Sequence, residues 1–155
     1  MRRRHLHHSR FYGFLLCFAS TTTGFIYHSF RGWPAPYAFF SLPVLLGTLG
    51  GVLLLVGTVG LFAMKFIDDP MVNTRRMLGG DLALLVLLAM VALTGLVLLA
   101  ARSSGGLGLA MAIHLGFVLA LFLVLPYSKM VHGVYRSAAL LRRAVERNMA
   151  VLGGE

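Results

Sequence analysis

Four apolar runs, each near the thickness of a bilayer, alternate with short polar links along this chain. They extend from about Phe11 to Phe30, Ala38 to Met64, Leu82 to Ala101 and Leu107 to Tyr127. A helix needs roughly 20 apolar residues to cross about 30 Å of hydrocarbon. Each run therefore predicts one membrane-spanning helix, and together they predict an all-α integral membrane four-helix bundle. Before them, Met1–Arg10 is basic and histidine-rich. After them, Ser128 to Asn148 places Val131, Val134, Tyr135, Ala138, Leu141 and Val145 at helical spacing among Arg136, Arg142, Arg143 and Arg147. That pattern predicts a C-terminal amphipathic helix, on the membrane surface or against a partner. The chain thus divides into a basic terminus at 1–10, a transmembrane domain at 11–127 and a tail at 128–155.

The links carry turn chemistry. Arg31 to Tyr37 combines Gly32, Pro34 and Pro36 with Trp33 and Tyr37, an aromatic pair suited to a membrane interface. Asp68, Asp69 and Pro70 begin a middle link that runs through Arg75 and Arg76, and a short link spans Arg102 to Gly106. In the second run Gly47 and Gly51 form a small-xxx-small pair, which lets a helix or a flat ligand approach closely. Pro126 is expected to kink the fourth helix near its inner end, because it lacks an N–H and its ring crowds the preceding turn. A basic start before an apolar run also describes a signal peptide. The first run is long, lacks a clean small-residue cleavage site and ends in Tyr27 and His28, so it reads as a retained span.

Composition and charge sharpen this picture. Of 155 residues, 58% are hydrophobic and 12% charged, with a mean hydropathy of +0.83, too apolar for an ordinary soluble domain. Spans and links use nearly the whole length, which predicts no soluble catalytic domain. The net charge of +9 would suggest nucleic acid in a soluble protein, but here the positions of the charges decide. Arg2, Arg3, Arg4 and Arg10, then Lys65, Arg75 and Arg76, then Lys129, Arg136, Arg142, Arg143 and Arg147 put twelve basic residues on one side, against Arg31 and Arg102 on the other. The positive-inside rule then sets both termini in the cytoplasm, with the spans in contact with lipid and with no nucleic-acid partner. The single cysteine, Cys17, excludes an internal disulfide and an iron–sulfur cluster held by several thiolates of this chain.

Histidine within or beside a span is costly, and by default marks a proton path, a metal or a heme. His114 and His132 are 18 residues apart, five whole turns, so on one continuous helix both rings point the same way about 27 Å apart. His5, His7 and His8 precede the first span and His28 closes it. His7 lies within about 60° of the face of His28, and His8 about 160° away; phase favours His7, with His8 the alternative. If the first span runs outward and the fourth inward, His28 comes level with His114, and His7 or His8 with His132. Two facing imidazole pairs at two depths are what two bis-histidine b-type hemes require. Stacked hemes would carry electrons across the membrane.

Each histidine also has a plainer reading: a solvated basic tail for His5, His7 and His8, an interfacial position for His28, an interhelical hydrogen bond for His114. Tyr135 and Arg136, next to His132, are placed to meet a heme propionate, or to face solvent. Zinc would want three or four close ligands with Cys, Asp or Glu among them. A proton-driven transporter would want carboxylates in mid-membrane, whereas all five acidic residues lie at span ends, in links or in the tail. For a quinone, Lys65, Asp81, Tyr127 and Lys129 stand at the inner edge, where anchoring is the commoner role.

The segments HHSRFYGFLLCFAST (His7–Thr21), GWPAPY (Gly32–Tyr37), SLPVLLGTLGG (Ser41–Gly51) and HLGFVLALFLVLPYSKMVHGVYRSAALLR (His114–Arg142) resemble the membrane part of the citrate/tricarballylate utilization proteins, the TcuB/CitB type, over nearly the whole chain. The resemblance implies a membrane electron-transfer protein, related in layout to diheme cytochrome b anchors. Such a protein takes electrons from a soluble flavin dehydrogenase that oxidises tricarballylate and passes them to membrane quinone. In that family a cysteine-rich, ferredoxin-like region precedes the membrane part. With one cysteine and a start close to the first span, this chain is expected to lack the iron–sulfur relay, leaving it to a separate subunit, to a longer gene product, or to another dehydrogenase that has recruited the module. The expectation is therefore an electron-transfer subunit rather than an enzyme by itself. The alternative is a heme-free anchor that docks a soluble partner through its tail and basic inner surface; a small transporter comes third.

Overall fold

The structure, a computed structural model, describes residues 2–67 and 75–152; within the helices, the side chains of residues 2, 65–67, 75–81, 129, 130, 132, 134 and 150–152 are not described. The described residues form five α-helices and no strand: α1 (Arg2–Arg31), α2 (Leu42–Ile67), α3 (Arg75–Ala100), α4 (Leu107–Val124) and α5 (Lys129–Leu152). Asp68, Asp69 and Pro70 of the middle link lie outside them, as do Met1 and residues 153–155. The fold is all-α, as the periodicity predicts.

Three segments are long and apolar enough to cross a membrane: Leu42–Met64, Leu82–Ser103 and Leu107–Tyr127, with 23, 22 and 21 residues. Their leucines and valines stand outward as well as inward, with Leu49, Leu109, Leu119 and Leu123 all exposed. A helix apolar all round is built for a nonpolar surrounding. α1 is the exception by composition, since Ser9, Arg10, Ser20 and Thr21 to Thr23 interrupt its apolar run. It also begins nine residues before the expected span. The basic stretch up to Arg10 is therefore helical, with His5, His7 and His8 exposed on it, and these three and His28 ride on one rod about 45 Å long at 1.5 Å per residue.

The helices pack in chain order, α1 on α2, α2 on α3 and α3 on α4. Glycines set the α1–α2 contact. A Cβ at Gly50 would stand 2.7 Å from the Cys17 nitrogen, one at Gly57 2.5 Å from the Arg10 nitrogen, and one at Gly47 2.8 Å from Ser20 Oγ. As the partners on α2 rise, those on α1 fall, so the pair is antiparallel with backbones in close contact. The Gly47/Gly51 pair is split between two neighbours: Gly47 faces α1, while Gly51 faces Leu96 of α3. Hydroxyls tie the same seam, Ser9 donating to the Leu53 carbonyl at 2.8 Å and Ser20 to the Pro43 carbonyl at 2.6 Å. Leu54, Leu84, Leu88, Ala92 and Leu121 form the core between α2, α3 and α4.

At the end of α1, Gly32 takes a positive φ of 64°, which a side chain would resist, and the Trp33 N–H donates back to the Tyr27 carbonyl. Tyr27, Trp33 and Tyr37 meet edge to face there, with the Arg31 guanidinium over the Tyr27 and Trp33 rings. This is the aromatic cluster that the GWPAPY segment predicts.

The fourth helix requires a correction. It is not kinked at Pro126 but ended: α4 stops at Val124, a 3-10 turn covers Leu125–Tyr127, and Ser128 is extended (φ −93°, ψ 164°) before α5 starts. Pro126 supplies no N–H to continue the ladder, and Ser128 closes the turn through its N–H and Oγ to the Leu125 carbonyl. His114 and His132 consequently lie on different helices, and the five-turn phase relation between them does not hold.

Candidate functional site

The histidine that the fold draws inward is His114, half-buried on α4 against α3. Gly95 makes room for it, since a Cβ there would come within 3.1 Å of His114 Cε1. Next to that glycine, Thr94 Oγ1 lies 3.0 Å from His114 Nδ1. The same hydroxyl lies 2.7 Å from the Met90 carbonyl, and a threonine has one hydrogen to give. Two acceptors that close need that hydrogen between them, so the hydroxyl donates to Met90 and accepts from Nδ1–H. The hydrogen-bond network thereby places a proton on His114 Nδ1, and no described group engages Nε2. A metal-binding histidine is held in this way, its second nitrogen donating to a fixed acceptor.

Contacts at one depth connect His114 to α1. Gly95 and its neighbour Leu96 touch His114 and Gly51, and Gly51 with its neighbour Gly50 touches Leu96 and Cys17. Cys17, Gly51, Leu96, Gly95 and His114 form a layer across four helices, and all five line a cavity of about 480 Å³. Its walls are largely apolar, from Phe14, Val44, Leu88, Val91, Val118 and Phe122, and Tyr37 and Arg102 bound it toward the loops. Tyr37 is held by its hydroxyl donating to the Gly24 carbonyl at 2.9 Å. A cavity of that size, with few and fixed polar groups, suits a largely apolar ligand.

His28 does not reach this cavity. It is exposed and lies eleven residues beyond Cys17 along α1, about 16 Å nearer the loop end, so the expected level match with His114 is corrected. The reason is an offset in height: His114 sits seven residues inside α4, whereas His28 sits three residues from the end of α1. His7 and His8 are both exposed near the opposite end of α1; His8 stacks on Tyr12, and His7 Nδ1 lies 3.4 Å from an Arg10 nitrogen. His132 is on α5 with its side chain outside the described set. Tyr135 and Arg136 follow it, both exposed. Of the inner-edge quinone candidates, Tyr127 is exposed, and the side chains of Lys65, Asp81 and Lys129 are outside the described set. Among the described residues no three His, Cys, Asp or Glu side chains gather in one place. Thr94, Gly95 and Arg102 do not stand out in the sequence; the Thr-Gly pair amid leucines of the third run is the one mark that hints at a site.

Comparison with known proteins gives a concordant result. The family model described as Citrate utilization protein B matches residues 1–151. A protein of Escherichia coli described as Citrate utilization protein B is 47% identical over 154 residues, which are 99% of this chain and 41% of the relative. The chain thus spans about two fifths of that relative's length. No solved structure matches.

Proposed function

This chain belongs to the citrate utilization protein B family, and from that premise we propose that it is a multi-pass electron-transfer subunit of the bacterial inner membrane. It binds a b-type heme on His114 and relays electrons to membrane quinone. The donor is a soluble flavin dehydrogenase acting in citrate or tricarballylate utilization, directly or through a separate iron–sulfur subunit. The observation that carries this reading is the His114 imidazole, its Nδ1–H held by Thr94, at the wall of a largely apolar cavity with Nε2 engaged by no described group.

The residues present fit one heme in that cavity. His114 would hold the iron through Nε2, Gly95 leaves its ring space, and the apolar walls exclude water from the macrocycle. When bound, the heme supplies reversible one-electron chemistry, while the protein sets its orientation and electrostatics. A second heme would rest on His7 or His8 with His132, which the sequence supplies in number. Tyr135 and Arg136, which follow His132 on α5, would meet that heme's propionates.

The proposal includes α1 as a fourth span, with both termini in the cytoplasm. Its threonine hydroxyls donate to carbonyls one turn back, Thr21 to Cys17, Thr22 to Phe18 and Thr23 to Ala19. Hydroxyls satisfied in this way cost little in hydrocarbon. The test is a reduced-minus-oxidised absorption spectrum of the detergent-purified protein from heme-replete cells, with heme quantified per chain. A sharp b-type spectrum supports the reading, and a colourless protein ends it.

A heme-free anchor is the second reading, favoured by α5. The main described contact of that helix is with the preceding 3-10 turn. Arg136, Arg143 and Arg147 share an arc of about 40° on it, opposite Val131, Ala138 and Val145. With its apolar side on lipid, the helix presents a basic stripe to an acidic soluble partner.

A further inference from the structure

Arg102 is the outlying cation of the loop end, and it is not free in solvent. It follows α3 in the 3-10 turn Ala101–Ser103, its guanidinium carbon sits 3.5 Å over the Phe39 ring, and it borders the cavity that contains His114. Its Nη1 is buried and meets no acceptor among the described residues. A guanidinium nitrogen withdrawn from water without an acceptor is costly. The stacking on Phe39 satisfies the face of the group, not its N–H bonds. The hydroxyls at the cavity wall have their own partners: Tyr37 on Gly24, Ser20 on Pro43, Thr21 on Cys17 and Thr48 on Val44.

We propose that Arg102 is the anion-binding residue of the cavity, donating from its guanidinium to an anionic oxygen at the rim of an amphipathic ligand whose apolar body lies against His114. Arg102 stands seven residues beyond Gly95, the residue that packs on the His114 ring, about 10 Å along the helix axis, so the two residues border the cavity from different heights. An imidazole and a guanidinium at different heights of one apolar-walled cavity would suit a macrocycle that offers a metal to the first and edge carboxylates to the second. That identification rests on the heme reading above. A bound phospholipid would offer the same oxygen chemistry through its phosphate, and the experiment separates the two.

The protein and its Arg102→Gln and Arg102→Lys variants are purified in mild detergent, then assayed for heme per chain and, by native mass spectrometry, for bound lipid. Wild type stripped of heme is also refilled with heme or with heme dimethyl ester, whose carboxylates are masked. A charged hydrogen bond of this kind sets the expected loss at about tenfold or more in affinity for Arg102→Gln, with Arg102→Lys largely retaining binding. The ester should bind the wild type about as weakly as heme binds Arg102→Gln, and should bind that variant no worse. Should the wild type hold no heme but carry an anionic phospholipid that Arg102→Gln loses, the Arg102 site stands and the heme reading falls. The proposal is overturned if Arg102→Gln keeps wild-type heme and lipid contents, or if the ester binds wild type as tightly as heme does. The ester arm needs no variant to fold.

Discussion

Thr94 and His114 are locked in a donor order: the threonine hydrogen goes to Met90, so the imidazole must give its own at 3.0 Å. Replacing Thr94 with Val removes that acceptor and leaves a half-buried N–H without a partner. Loss of the partner that orients a metal-binding histidine weakens metal sites by about 10–100-fold. Thr94→Val is expected to lower heme affinity by that factor in an absorbance titration, while Thr94→Ser, which keeps the hydroxyl, stays near wild type.

Height along the helices distinguishes His114 from His28. Alanine at His114 should abolish heme in the cavity. Alanine at His28, about 16 Å away along α1, should leave heme per chain unchanged. Equal loss from both variants would restore the facing pair that the sequence suggested and show the register described above to be wrong.

Glycines in this fold differ in what surrounds them. A side chain at Gly57 meets the Arg10 backbone at 2.5 Å, which cannot swing aside, whereas one at Gly116 meets nothing within 4 Å. Gly57→Val should part α1 from α2 and destabilise the protein by about 1–3 kcal/mol or more. Gly116→Ala should be neutral or slightly stabilising. Reversible unfolding in mixed micelles measures both.

His7 lies before the apolar part of α1, where partial burial, then the charges of Arg10, Arg3 and His8, push its pKa below the ordinary 6.5. The unfolded chain binds a proton there more readily than the folded one. Stability is therefore undiminished above about pH 6.5, falls as the pH drops below that value, and levels off once the folded group also protonates. His7→Gln should flatten that part of the stability curve, and histidine-selective NMR should show the His7 resonance titrating below its unfolded value.

Four spans predict that both ends face the cytoplasm. Tags at the N and C termini should both resist protease added to the periplasmic side of spheroplasts and both be cut in inverted vesicles. Opposite accessibility of the two tags would remove α1 from the set of spans.

From the order of residues alone, the all-helical class, the three strongly apolar spans and the aromatic cluster of Gly32–Tyr37 were legible. Each follows from local pattern: unbroken apolar length, helical period, and glycine and proline at turns. The family was legible too, through motifs at both ends of the chain. Depth was not. His28 and His114 appeared level because helix ends were matched to helix ends, but the height of each helix is set by where Gly50, Gly51 and Gly95 let neighbours approach, a property of pairs of helices. The phase of His132 was lost for a different reason: Pro126 ends α4 where a kink was expected, and periodicity carries no information across a break. The partnerships of Thr94 with His114 and of Arg102 with the cavity join residues on separate helices or at their junctions, so only packing could reveal them.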